Sequence, residues 1–428
     1  MRIDWKKTRV IYCKWVSTML CALLLSACGG VSRQSVSSSD QPENSRPDVA
    51  SPQSNSQAVQ FLSHDPDWIG YQACTEDGMY YVVIENGAAK LKYWSRAEDQ
   101  DIYLCASPNC EHRDASCTAF LTDTKTAPQV VATKQHLFLL YEGFYDPSGV
   151  QVSPIIEIAD LNGGNRRILH EFDANQEIGA GIAGNDDELY FILSTLSTND
   201  AREPIRISAL TRLDISTAEL QELQTWDDAD VFLMAANDFD LVYKTIGMNT
   251  DQHTFFCYDK RDKTTRELAR YAQEECAVFT AGSYLFRFSF GEKQVDLDVE
   301  NWEDGNSFQL KGCFDCATGG AGLRYDGLYR NWLFVSTVTG YTESGNLIVK
   351  QYAIDLLART ITEIRYEDAV RHRPVSLTGT VGREQDELLL EQNVYSGATD
   401  TSWTGTIFAV MPIEDFVAGS GEPRQIAQ

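Results

Sequence analysis

Asp187-Glu-Leu-Tyr-Phe-Ile-Leu-Ser194 is the stretch on which the reading of this chain turns. A polar turn delivers a short run rich in apolar and aromatic residues, the signature of a buried strand rather than a capped helix. The same phrase recurs as DGMYYVVI from Asp77, HLFLLYEG from His136 and FDLVYKT from Phe239. It returns as SYLFRFSF from Ser283, NWLFVST from Asn331 and DELLLEQ from Asp386. With Met79, Leu137, Leu189, Leu241, Leu285, Leu333 and Leu388 taken as equivalent, the intervals are 58, 52, 52, 44, 48 and 55 residues. Each interval suffices for four short strands and their turns.

A second phrase follows the first. IIEIADLNGGNRRIL, ALTRLDISTAELQEL, FFCYDKRDKTTREL and VKQYAIDLLARTITEI each place an apolar strand, an Asp, a polar turn and another strand. Asp160, Asp214, Asp259 and Asp355 suit that turn because an Asp side chain accepts from backbone N–H groups just downstream. No segment carries a sustained 3.6-residue apolar period with caps, which argues against an α/β binding protein. One four-stranded sheet cannot bury both faces, whereas several stacked radially can. The chain therefore predicts an all-β fold, a β-propeller of about seven four-stranded blades over 61–428. Six or eight blades stay open because the fifth and seventh units are ragged. This pattern resembles the TolB-like and YWTD-like propeller lipoproteins of anaerobic Gram-positive bacteria. The resemblance rests on degenerate strand patterns, and it implies binding at the channel mouth, on loops between blades.

Arg2, Lys6, Lys7, Arg9 and Lys14 precede an apolar run from about Trp15 to Leu25, a stretch short for a membrane span. Leu25-Ser26-Ala27-Cys28 follows, with Gly29 and Gly30 behind. These residues resemble the bacterial lipobox, which implies a signal peptide over 1–27, cleavage before Cys28 and lipid on its thiol. The expected address is the extracytoplasmic face of the cell membrane, with lipid on Cys28 as the membrane contact. The next residues, 29–60, contain no aromatic, Leu or Ile, so they cannot offset their ordering entropy and read as a tether. About 30 such residues span roughly 30 Å on average and about 100 Å when stretched.

The net charge is −26, and loss of residues 1–27 removes five Lys/Arg and one Asp, leaving −30. So acidic a chain repels phosphate backbones, which argues against nucleic-acid binding.

Of eleven cysteines, Cys13 and Cys21 lie in the signal segment and Cys28 in the lipobox, leaving eight. The dense cluster is Cys105-x4-Cys110-x-His112-x4-Cys117. Outside the membrane a disulfide staple is the first expectation for it. Three thiolates and an imidazole also suffice for tetrahedral zinc, the second expectation. Cys313-x2-Cys316, Cys74, Cys257 and Cys276 are further disulfide candidates, with connectivity open. Asp296, Asp298 and Glu300 alternate along a strand and form a weak calcium candidate, against the plainer reading of a solvated strand face. Gly179-x-Gly181-x-x-Gly184 matches a dinucleotide motif but leads into a strand, so close packing near a propeller axis is the better reading.

No nucleophile elbow and no H-E-x-x-H pair occurs, and no residue is nominated as catalytic. Apart from a structural Zn or Ca ion, no cofactor is expected. The function expected from the sequence is a surface-tethered binding or scaffold module for a protein, peptide or glycan. The alternative is an extracellular carbohydrate-active or peptide hydrolase of propeller fold.

Overall fold

The computed structural model of the chain describes residues 58–427 apart from 64–69, 122–126, 146–150, 199–202, 248–251, 273–275, 317–321, 343–346, 368–373, 397–401 and the single positions 86, 106, 108, 115, 293 and 383. Cys28 and nearly all of the segment expected to be a tether lie outside the described residues.

Seven four-stranded antiparallel sheets follow one another, at 72–103, 129–171, 176–227, 229–272, 276–315, 323–364 and 376–427. Within each, the four strands, A to D in chain order, are hydrogen-bonded in that same order. The A strands touch around a ring. Gln72–Thr75 neighbours Gln129–Ala132, Gln176–Gly184 neighbours Ala229–Ala236, and Ser376–Val381 returns to Gln72–Thr75. The protein is a seven-bladed β-propeller.

The seven marker residues each occupy the second position of strand B, and all are buried. The repeat therefore has one physical cause: the side chain that enters the core as each B strand begins. Apolar clusters join neighbouring blades, as where Val131 and Phe138 of blade 2 pack with Ile182 and Leu189 of blade 3.

Antiparallel order puts the A–B and C–D turns on one face of the ring, here the turn face. The B–C hairpin ends and the blade-to-blade connections lie on the other, the hairpin face. At the C–D turns Asp214 Oδ1 accepts from the backbone N–H of Ser216 (3.0 Å) and Thr217 (3.1 Å). Asp259 does the same with Arg261 and Asp262, and Asp355 with Leu357 and Ala358. Blade 5 uses Asn301, which accepts from Glu303 and Asp304. Asp160 departs from the expected role: its Oδ2 takes the Asn165 amide while Asn162 Oδ1 accepts the Gly164 N–H.

The ring closes without strand exchange, because blade 7 takes all four strands from the carboxyl-terminal part of the chain. Met79, Tyr81 and Trp94 of blade 1 pack on Val381, Leu389, Phe408 and Val410 of blade 7. Arg96 Nε reaches Glu387 Oε2 at 2.6 Å across the seam, and Arg424 pairs with Asp99. A short helix, Ile413–Ala418, precedes the last strand and buries Ile413 and Phe416 against blades 6 and 7.

The amino-terminal boundary differs from the expected one. Gln60–Phe61 form a strand on the axial edge of blade 3, pairing with Gly184 and Ala183. Val59 is buried, and its N–H donates to Asp238 Oδ1 at 2.8 Å, in the A–B turn of blade 4. Ser63 Oγ then donates to Ala180 O and accepts from Ile182 N–H. Residues 58–60, expected to belong to the tether, adjoin the propeller; backbone pairing at Gln60 and burial of Val59 in the apolar cluster between blades 3 and 4 hold them there.

Candidate metal centre

Strand D of blade 1, Gln100–Tyr103, covers only half of strand C, Ala88–Ser95. Leu104 N–H still donates to Leu91 O, and then the chain leaves the sheet. It returns at Ala119, whose carbonyl accepts from Leu91 N–H, and Leu121 N–H donates to Ala89 O. Phe120 faces Lys90 in an antiparallel bridge. Residues 105–118 are thus an excursion that interrupts the outer strand of the blade. Arg166 of blade 2 clamps the returning segment, donating to Thr118 O (3.0 Å) and Phe120 O (3.1 Å).

The excursion gathers the four residues of the sequence cluster. One ligating atom each from Cys105, Cys110, His112 and Cys117 lies within 4.8 Å of the others. His112 Nδ1 stands 3.2 Å from Cys117 Sγ, and the His112 N–H points at Cys110 Sγ at 3.5 Å. The imidazole plane rests on Tyr103, with ring centroids 4.4 Å apart. Asn109 and His112, on either side of Cys110, both hold positive φ, 58° and 53°. Such backbone is uncommon for residues other than glycine and persists where surrounding contacts over-determine it.

The thiols are not alike. Burial pushes Cys105 up, but the Ser107 N–H and the thiols of Cys117 and Cys110 outweigh it and bring it down to about 6. Cys117 is raised to about 11 by burial and by its bonds to Cys105 and Cys110. The contacts among the sulfurs thus act in opposite directions on Cys105 and Cys117. A thiolate is the form that binds metal.

The remaining candidates are placed differently, and no disulfide joins any of the eight described cysteines. Cys74 sits in the seam between blades 7 and 1 against Thr378 O and Gly379, and burial pushes its thiol up to about 12. Cys257 and Cys276 both belong to one apolar cluster between blades 4 and 5. Cys313 lies in strand D of blade 5, Ser307–Asp315, and Thr337 of blade 6 donates to Cys316 Sγ at 3.2 Å. These five pack in apolar clusters between blades.

Asp296, Asp298 and Glu300 do alternate on strand C of blade 5, Gln294–Asn301. Asp298 accepts from Arg287 (2.9 Å) and Gln309 (2.8 Å), and Asp296 accepts the Gly312 N–H. Asp296 and Asp298 thus serve cross-strand bonding within blade 5, in keeping with the plainer reading of a solvated strand face. Gly179, Gly181 and Gly184 lie in strand A of blade 3; a Cβ on Gly181 would stand 2.1 Å from Leu233 O of blade 4. Close approach at the axis, not a phosphate, requires that glycine.

Tyr103 and Arg166 complete the centre and were not singled out from the sequence. Tyr103 carried a weak signal, an aromatic residue two positions before the first cysteine. Arg166 sits in the next blade and carried none.

No family model matches the chain, and no curated protein matches it in sequence. Solved structures resemble it in fold. An oligogalacturonate lyase from Vibrio parahaemolyticus is 11% identical with TM-score 0.49, the match covering 86% of this chain and 96% of that one. An oligogalacturonate lyase in complex with manganese is 12% identical with TM-score 0.48, covering 85% and 95%. TolB from Acinetobacter baumannii is 10% identical with TM-score 0.32, covering 71% and 62%.

Proposed function

We propose that the chain is an extracytoplasmic scaffold, tethered through lipid on Cys28, whose propeller binds a protein or peptide partner on its hairpin face. The observation that supports this choice of face is the placement of exposed apolar side chains. Of ten large hydrophobic residues exposed among the described ones, Tyr71, Ile84, Leu196, Tyr341, Leu347 and Ile348 lie at hairpin ends or blade entries. The turn face carries Phe239, which Arg261 covers, and Leu357. Exposed apolar clusters rimmed by polar residues favour partner surfaces. Tyr341 and Leu347 are cross-strand partners beside Ile348 on blade 6, the densest such group.

Val59 stands at the turn face, by Asp238, so the chain enters the ring from that side. No helix among the described residues is long and apolar enough to cross a membrane.

The test uses envelope proteins and three baits: the full chain, a hairpin-face variant (Tyr341→Ser, Leu347→Ser, Ile348→Ser) and a turn-face variant (Leu357→Ser). The reading expects one partner to be retained by the full chain and the turn-face variant and depleted about tenfold, ~1.4 kcal/mol, on the hairpin-face variant. Equal recovery on all three baits would refute it. Palmitate labelling that survives Cys28→Ala would refute the lipid tether separately.

A further inference from the structure

We infer that Cys105, Cys110, His112 and Cys117 bind one zinc ion per chain, as a structural centre that closes the outer edge of blade 1. The inference stands apart from the tether and from the partner face. Its first support is convergence. Zinc bonds of about 2.3 Å to sulfur and ~2.0 Å to nitrogen at tetrahedral angles require sulfur–sulfur separations of about 3.8 Å and sulfur–nitrogen separations of about 3.6 Å. The four ligating atoms, all within 4.8 Å and with His112 Nδ1 3.2 Å from Cys117 Sγ, reach that arrangement with small side-chain adjustments.

The second support is the imidazole. A disulfide takes two sulfurs and has no use for a histidine, yet His112 turns its Nδ1 into the sulfur cluster. The Tyr103 ring lies against the imidazole from outside the cluster, centroids 4.4 Å apart, and restricts its orientation. The His112 N–H directed at Cys110 Sγ adds a donor to a sulfur that would carry negative charge.

The third support is the ion's chemistry. Three thiolates and one imidazole are soft and borderline donors, a set that disfavours calcium, magnesium and manganese. Four protein ligands leave no open position for water, so the centre holds structure and does not hydrolyse. Binding releases each thiol proton to solvent as its Zn–S bond forms. What the ion holds is visible in the sheet. It joins Cys105, one residue after the blade edge is left, to Cys117, two residues before Ala119 rejoins it. A staple there fixes both ends of the interrupted strand.

The experiment is native mass spectrometry with elemental analysis on the full chain, purified without chelator, followed by alkylation in denaturant. The expected result is about one zinc per chain, with Cys105, Cys110 and Cys117 all alkylated without reduction. Cobalt(II) put in place of zinc should give the visible absorption of a tetrahedral thiolate site. Cys110→Ser and His112→Ala, at partly exposed positions, should lose the metal and the absorption, and His112→Cys should restore both. Tyr103→Ala should weaken zinc binding about tenfold. A disulfide between any two of the three cysteines in chain that lacks metal would overturn the inference. So would unchanged zinc content in a Cys110→Ser, His112→Ala double variant. A stoichiometric ion other than zinc would overturn the assignment of the ion.

Discussion

Blades 1 and 3 finish their outer strands in opposite ways. In blade 3, strand D, Leu220–Asp227, follows strand C, Pro204–Asp214, through a turn that Asp214 organises, and the two pair from Ile207 to Leu213. In blade 1 the equivalent strand stops at Tyr103, and its remaining place is taken by residues 119–121. One edge is made by a local turn and the other by a long excursion that must be pinned. A turn needs one side chain at a fixed offset. An excursion needs ligands that meet in space, and this chain supplies three sulfurs and an imidazole.

The largest expected effect breaks the regular blade. Gly181→Ala would set a Cβ 2.1 Å from the Leu233 carbonyl, a backbone atom that cannot swing aside. A loss of about 3 kcal/mol in urea unfolding is expected, the upper part of the range for overpacking. An unchanged midpoint would show that blades 3 and 4 do not approach as described. Arg166→Ala acts on the other edge. It strips two carbonyls of blade 1, Thr118 and Phe120, of a half-buried charged donor, at a cost of ~2 kcal/mol. Hydrogen exchange should localise the loss to residues 118–121; a loss spread over the whole ring would contradict the local clamp.

Chelation should sharpen the contrast. With a strong zinc chelator, the amides of Leu91 and Leu121 should exchange about tenfold faster, a loosening of ~1.4 kcal/mol, while those of blade 3 stay as they were. Uniform acceleration, or none, would oppose a metal-pinned edge.

The smallest effect concerns pH. Asp214 is held below the usual carboxylate range, first by the Ser216 hydroxyl and then by the Thr217 N–H. Asp259 is lowered chiefly by Arg261. Asp355 is lowered because the N–H groups of Ala358 and Leu357 and the Asn331 amide outweigh its burial. Carboxyls depressed in the folded state stabilise it fully above their unfolded value, about 4, and that contribution fades as pH falls through the folded values. Asp214→Asn keeps the acceptor, as Asn301 does naturally in blade 5, and loses the charge. Its unfolding midpoint should fall less steeply with acidification below about pH 4 than that of the parent chain. Parallel profiles would refute the turn assignment.

These contrasts also explain what was legible beforehand. The blade count rests on Met79, Leu137 and their five counterparts, each at the same step of strand B. Short-range periodicity carries such information. The turn residues Asp214, Asp259 and Asp355 were legible for the same reason, since their partners lie two and three residues on. The Cys/His group was legible as a composition but not as a geometry, because the excursion returns to strand C only by long-range pairing. The strand at Gln60–Phe61 was invisible, because its register with Gly184 and Ala183 is set more than a hundred residues away. Cys74 against Gly379 likewise spans the ring closure, where nothing in either local segment names the other.

The most direct test of the metal-pinned edge is X-ray absorption at the zinc edge on the full chain. The account predicts a four-coordinate shell of three sulfurs at about 2.3 Å and one imidazole nitrogen near ~2.0 Å. An oxygen-rich shell, or a chain without zinc whose Cys105 and Cys117 are joined by a disulfide, would contradict it.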